Sequence, residues 1–271
     1  MRKLLFALVA MTACADSSNL PPGDDGTGGD SGGGGSGSGS GSGSDTGDVS
    51  TADRIQDYND VAASLGANLS VGELAAMIDS INMAYGRLPA GFTVTDGPDY
   101  QVLDGTRGGL TVRYKLYCRD ELDAFAPCNG LENHAHVHPS YSGTVTSADT
   151  STAGIQRTAS WIVRDLTLPS ARLGGAGTDA FATSLPTGTY TFTVTDNLNH
   201  VLFAPTPVDP LGGSVDLTLT VQRNRPSSNP ASRTFDVVAS IAFTGSDTAT
   251  IKLDSSEIYD LALSTGAVVR K

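Results

Sequence analysis

Apolar and polar residues alternate along most of the chain after residue 92, and this alternation limits what the chain can fold into. Leu110, Val112, Tyr114 and Leu116 alternate with polar residues in the clearest segment. A period of two is typical of β-strands that have one buried and one hydrated face. Turn signals link these segments too closely for parallel crossovers, so neighbouring strands are expected to be antiparallel.

The alternating segments predict the fold class. Besides the strand at residues 110–118, strands are predicted at residues 134–145, 155–168, 189–196, 201–204, 215–222, 234–243, 248–253, 258–263 and 267–270. Such a series predicts a mainly β fold: a curled antiparallel meander sheet or an open barrel, with two N-terminal amphipathic helices. A two-sheet β-sandwich is the alternative.

The two helices are predicted within residues 50–88. The first begins at Ser50 and ends at Gly66, because glycine commonly ends a helix. The second begins with a capping box from Ser70 to Glu73 and ends before Pro89. Each helix has an apolar stripe that is expected to pack on the sheet.

The N-terminus has the pattern of a secretion signal. Two cations precede an apolar run that ends at Met11-Thr-Ala-Cys14. This pattern predicts a lipoprotein signal peptide at residues 1–13 and a lipid on Cys14, which would attach the chain to a membrane. An ordinary signal peptide cut near Ala13 or Ala15 is the alternative. No later stretch is predicted to span a membrane.

Residues 14–49 are expected to form a lipidated cysteine and a disordered tether, because Gly, Ser, Asp, Thr and Pro dominate this stretch. Residues 50–271 then form a single domain. In some bacteria an aspartate directly after the lipidated cysteine resembles an inner-membrane retention signal. Ala15 occupies that position here, so the outer membrane of a bacterial cell envelope is the favoured location, and Asp16 one place later leaves the inner membrane as the alternative.

The charge of the chain excludes one class of partner. The net charge is −12, and no run of Lys or Arg interrupts the acidic balance. Nucleic acid and anionic lipid head groups are therefore poor candidate partners. The expected partners are a membrane, through the lipid on Cys14, and an unknown protein or other envelope component.

Cys118 and Cys128 remain as a pair once Cys14 is assigned to lipid. Exported cysteines oxidise readily, so this pair is predicted to form a disulfide. A two-thiolate metal site is the alternative, although the nine residues between the cysteines do not match a zinc-ribbon spacing.

Three of the four histidines alternate in one predicted strand, at His134, His136 and His138. Alternate residues share one face of a strand, so two neighbouring imidazoles could bind one Zn or Cu ion if a third ligand came from elsewhere. The candidate third ligands by residue type are His200, Asp196 and Glu132. Two other interpretations stay open: a row on the hydrated face without a ligand, and a row that responds to pH.

Four parts of the chain carry a resemblance to known proteins. They are residues 58–65 (YNDVAASL), residues 86–91 (GRLPAG), the cysteine pair followed by residues 134–137 (HAHV), and residues 248–269, from TATIKL to LALSTGAVV. Here the chain resembles uncharacterised bacterial envelope lipoproteins that share a lipobox, a Gly/Ser/Asp tether and a threonine-rich β domain. The resemblance implies an envelope location and assigns no activity or site residue.

These observations favour a membrane-tethered lipoprotein with a non-enzymatic binding or structural role in the cell envelope. The sequence has no Walker loop, no His-Glu-x-x-His motif and no Gly-x-Ser-x-Gly at a predicted strand-to-helix turn. Two alternatives remain. One is a metal-binding protein or metalloenzyme that uses the histidine row, and the other is a carrier of an apolar ligand in a concave sheet.

Overall fold

The computed structural model describes residues 49–120, 124–126, 128–132, 134–146, 151–207 and 209–271. The predicted signal peptide, Cys14 and the predicted tether up to residue 48 lie outside the described residues. The described chain begins with one long helix at Thr51–Ala84 and continues with β-strands. The long helix consists of an α-helix at Thr51–Asn68, a π-helical turn at Leu69–Glu73 and an α-helix at Leu74–Ala84.

The strands form one open antiparallel sheet. They are β1 (Thr93–Asp96), β2 (Gln101–Arg107), β3 (Leu110–Arg119), β4 (Phe125–Ala126), β5 (His134–Thr146), β6 (Ser151–Arg164), β7 (Ala171–Leu185), β8 (Gly188–Phe203), β9 (Gly212–Asn224), β10 (Ser232–Phe243), β11 (Thr248–Leu253), β12 (Glu257–Ala262) and β13 (Val268–Arg270). Strands adjacent in sequence pair with each other, except that β4 pairs only with β3, which itself pairs with β5. The predicted mainly β meander is confirmed, and the two-sheet sandwich is wrong.

The two predicted helices form one continuous helix. Gly66 does not end the first helix; it lies where the long helix packs closely on the turn before β13. A Cβ at Gly66 would lie 2.5 Å from the carbonyl oxygen of Gly266 and 2.7 Å from Cγ2 of Val268. Only glycine permits this approach of the helix to the turn before β13. The predicted capping box is also wrong, because Ser70 Oγ donates to a carbonyl of the preceding turn and Glu73 is buried against the sheet.

Strands β1, β2, β4 and β7 are absent from the strands predicted from the sequence, and β8 is predicted as two strands. Strand β7 contains the run Gly174-Gly-Ala-Gly177, which reads as a loop but pairs with β6 and β8 along its length. A Cβ at Gly177 would lie 2.9 Å from Cζ of Arg157, so the glycine leaves room for a buried guanidinium. The predicted strands at residues 189–196 and 201–204 are one strand, whose register against β9 shifts between Asn199 and Leu202.

The long helix covers one face of the sheet, which we call the inner face; the opposite face is the outer face. The C-terminal part of the helix reaches β2 and β3. In its N-terminal half, Asp60 accepts a hydrogen bond from Tyr190 of β8, and Asn59 accepts one from Tyr259 of β12. Four strand spacings separate β8 from β12, which is about 19 Å in a flat sheet. The sheet therefore curls round this half of the helix.

By length and composition alone, the long helix could cross a membrane. This finding corrects the expectation that no later stretch is apolar enough. In the domain, however, its apolar side chains form the centre of the core against the sheet. They include Val61, Leu65, Leu69, Met77 and Ile81, all of which are buried.

Candidate functional site

The predicted histidine row lies on the outer face of the sheet. His134, His136 and His138 project from β5 and are half-buried, while Ala135 and Val137 between them are fully buried on the inner face. The alternation predicted for this strand is therefore confirmed.

The histidine rings are close to one another. The rings of His134 and His136 meet edge to face with centroids 4.9 Å apart, and His138 meets the ring of Tyr117 in the same way at 5.5 Å. Burial lowers the pKa of His136, and the charges of His134 and His138 lower it further. Burial and then Lys115 lower the pKa of His138. Both rings are therefore mainly neutral at pH 7, which is the form that binds metal ions.

None of the candidate third ligands joins the histidine pair. His200 is exposed on β8, three strand spacings or about 14 Å from β5. Asp196 is buried on the inner face, and Glu132 accepts hydrogen bonds from two backbone N–H groups of its own loop. Among the described residues, no three His, Cys, Asp or Glu side chains are arranged to hold a metal ion. Zinc or copper binding by the row stays a prediction.

Basic side chains flank the histidine row. Lys115 of β3 lies opposite His138 in the register, and its Nζ is 4.1 Å from the centroid of the Tyr100 ring. Arg164 of β6 lies opposite His134 on the other side of β5. Cations from the two neighbouring strands therefore border the row on both sides.

Two open depressions lie side by side on this part of the outer face. The smaller, of about 260 Å³, is lined by Tyr117, Arg119, His136 and His138. The larger, which we call the hydroxyl trough, has a volume of about 540 Å³ and takes its lining from five neighbouring strands, β3 and β5 to β8. Its outer-face residues are Thr111, Arg113, Ser140, Ser142, Gln156, Thr158, Thr178, Ala180 and Thr193.

Charge is separated along the outer face. Strands β3, β5 and β6 contain no Asp or Glu, and the one acid of β7, Asp179, is buried on the inner face. Farther along the sheet, Asp216 of β9, Asp236 of β10 and Asp260 of β12 are exposed. The depressions therefore lie in the basic part of an otherwise acidic surface.

The predicted disulfide lies next to the histidine row. It joins Cys118 of β3 to Cys128, with the two Cα atoms 5.3 Å apart. Cys118 is fully buried opposite Ala135 of β5. The bridge ties the connection between β3 and β5 to the sheet, and it leaves neither cysteine free as a thiolate ligand.

The inner face holds a network of buried charges that the sequence analysis does not identify. Arg157 of β6 contacts Glu73 of the long helix at 2.6 Å and also bonds Asp196 of β8. Asn68 of the helix donates to Asp179 of β7 at 2.7 Å. Glu73, Asp196 and Asp179 are thus three buried carboxylates near one guanidinium, which bonds the first two and acts on Asp179 through its charge. Arg157 was detectable in the sequence, because it occupies an inward position of an alternating strand.

This cluster changes the acidity of its members. Burial raises the pKa of Glu73 to about 7, while Arg157 opposes the rise and the nearby Asp196 and Asp179 add to it. Burial also raises the pKa of Asp179. All four residues border an inner cavity of about 30 Å³, which has room for about one water molecule.

Further ion pairs attach both ends of the helix to the sheet. Near the N-terminus, Asp57 lies 3.1 Å from Arg223 and 2.8 Å from Arg225. Near the C-terminus, Asp79 lies 2.7 Å from Arg107. Both acids therefore lie on the side of the helix that faces the sheet, where arginines compensate their charge.

No protein-family model, no curated protein and no solved structure matches the chain. The resemblance to bacterial envelope lipoproteins therefore stays a prediction.

Proposed function

We propose that the chain is a membrane-tethered lipoprotein whose β domain has a non-enzymatic binding or structural role in the cell envelope. The main support is the packing of the inner face, where the apolar side of the long helix is buried on the sheet and the cavity beside Glu73 and Arg157 measures about 30 Å³. The outer face has open depressions of about 540 and 260 Å³. A partner would therefore meet the outer face.

The carrier alternative requires space for an apolar ligand on the inner face, and the cavity beside Glu73 offers little. An apolar ligand on the inner face would need a far larger volume than about one water molecule. The long helix would have to leave the sheet, and the ion pairs of Asp57, Glu73 and Asp79 would break. We therefore favour a role for the outer face.

The tether is tested by labelling the full chain with an alkyne-bearing fatty acid in a bacterial host. We expect label on the wild-type chain in the membrane fraction and none on Cys14→Ser, because the thiol accepts the lipid. Asp16→Ala is the matched control, since it leaves the lipobox intact and should keep the label. A wild-type chain without label would overturn the lipoprotein proposal.

A metal-binding role is the second candidate, and the 4.9 Å separation of the His134 and His136 rings favours it. Calorimetric titration of the full chain with zinc and copper tests it. We expect one ion per chain, with loss of binding in His134→Ala and His136→Ala and retention in His200→Ala. Equal binding in all four proteins would contradict a site at the histidine row.

A further inference from the structure

We propose that the outer face of β3, β5, β6 and β7 binds an acidic polysaccharide, with carboxylates of the polymer beside the basic side chains and its hydroxyl groups in the hydroxyl trough. This inference rests on the binding role proposed above and names the ligand class. It does not depend on a lipid at Cys14.

Charge is the first argument for an anionic ligand. The outer face of these strands carries five cations: Arg113, Lys115, Arg119, Arg164 and Arg172. Asp104 lies 3.5 Å from Arg113, and Asp165 bonds Arg172. Among the described residues, Lys115 and Arg164 have no acidic partner. A chain with a net charge of −12 thus gathers unneutralised positive charge on one face, which attracts polyanions.

The shape of this face favours a chain-like ligand over a membrane surface. The outer-face residues of β7 are small, with Gly174, Ala176 and Ala180 between larger side chains of the neighbouring strands. Ala180 lies in the lining of the hydroxyl trough, and a flat bilayer cannot enter a depression of about 540 Å³. A single polymer chain can lie in it.

The two depressions follow one another along β3 and β5. Arg113 and Ser140 line the trough, and two residues further along the same strands Lys115 lies opposite His138, which lines the smaller pocket. Two residues of a strand span about 7 Å. One extended ligand can therefore touch the basic pocket and the trough together.

The lining of the trough matches a polyhydroxylated ligand. Its hydroxyl groups include those of Thr158 and Thr178, whose oxygens lie 3.2 Å apart, and the amide of Gln156 adds donor and acceptor capacity. Single-stranded nucleic acid would instead need free aromatic faces for stacking. The rings of Tyr100 and Tyr117 pack on each other at 5.7 Å and on Lys115.

The test uses calorimetric titration of the full chain with polygalacturonate at low salt, with neutral dextran as the reference polymer. We expect the wild-type chain to bind polygalacturonate but not dextran, and to bind more weakly as salt rises. The double variant Lys115→Gln/Arg164→Gln should bind about tenfold more weakly. The matched double variant Lys252→Gln/Arg54→Gln removes the same charges elsewhere and should bind within about twofold of wild type.

A second pair of variants tests the trough without changing charge. Thr158→Val/Thr178→Val keeps the shape of both side chains and should weaken polygalacturonate binding about fivefold, because two hydrogen-bonding groups are lost. Thr218→Val/Thr250→Val makes the same change on β9 and β11 and should leave binding unchanged. Circular dichroism of each variant checks that the domain stays folded.

Two results would overturn the proposal. One is absence of polygalacturonate binding; binding to phosphatidylglycerol vesicles in its place would assign the basic face to a membrane. The other is equal binding by the wild-type chain and both outer-face double variants. Both are separate from failure of fatty-acid labelling, which bears on the lipoprotein proposal and leaves polysaccharide binding intact.

Discussion

Arg157 Nη2 lies 2.6 Å from Glu73 Oε1 and joins β6 to the π-helical turn of the long helix. The two side chains are only 2% and 9% exposed. A buried pair of this kind adds little net stability compared with apolar residues, but removal of one partner leaves an uncompensated charge in the core. The contact between helix and sheet is therefore sensitive to the loss of Arg157.

We expect Arg157→Met to lower the free energy of unfolding by about 3 to 5 kcal/mol at neutral pH, because three carboxylates lose their shared cation. Urea unfolding followed by circular dichroism measures the change. Arg113→Met is the matched control: its pair with Asp104 is exposed, so the cost should stay below about 1 kcal/mol. Equal losses in the two variants would contradict a structural role for the buried pair.

The sequence predicts the strands well where burial decides the pattern. Along β3 the burial of Leu110, Val112 and Tyr114 follows the alternation, because one face of that strand meets the core and the other meets water. The pattern fails in β7, where Gly175 and Gly177 look like loop residues. They are strand residues, and a Cβ would lie 2.2 Å from the carbonyl oxygen of Ser160 at Gly175 and 2.9 Å from Cζ of Arg157 at Gly177. A single sequence does not contain that three-dimensional requirement.

The site was only partly predictable for a related reason. The period-two rule places the three histidines on one face, and the structure agrees. The basic surface round them comes from Lys115 of β3, Arg164 of β6 and Arg172 of β7, which come to share one face of the sheet only after the strands pair. A search for runs of Lys or Arg cannot detect such a surface, because the sheet register assembles it.

Glu73 should make stability depend on pH. Its pKa rises from an ordinary value of 4.5 to about 7 in the domain, so the folded chain binds this proton more tightly than the unfolded chain does. The resulting stabilisation is complete below pH 4.5 and is lost as pH rises through about 7. We expect the free energy of unfolding to fall less between about pH 5 and pH 8 in Glu73→Gln than in the wild type.

Chemical unfolding at several pH values measures the slope of the free energy of unfolding against pH. Glu257→Gln is the control, because Glu257 pairs with Arg270 near the surface and its replacement should keep the wild-type slope. Buried Asp57 and Asp179 also have raised pKa values, so part of the slope should remain in Glu73→Gln. Identical slopes in wild type and Glu73→Gln would show that Glu73 is already ionised near pH 5.

Gly66→Ala should destabilise the domain although alanine favours helices. In an open helix this replacement would stabilise by about 1 kcal/mol. Here the new Cβ would meet the backbone oxygen of Gly266 at 2.5 Å, and the helix or the turn before β13 would have to move. We expect a loss of about 1 to 3 kcal/mol in thermal or urea unfolding. A gain in stability would mean that the helix does not pack this closely on the turn.

His136 should titrate below an unperturbed histidine. Its pKa is lowered from 6.5, first by burial and then by the charges of His134 and His138. NMR titration of the ring protons measures it. We expect His134→Ala to raise the pKa of His136 only partly towards 6.5, because the larger cause, burial, remains. His200→Ala should leave the value unchanged, since His200 lies three strand spacings away. A pKa of His136 at or above 6.5 in the wild-type chain would mean that the ring is solvated or held beside an anion, contrary to this packing.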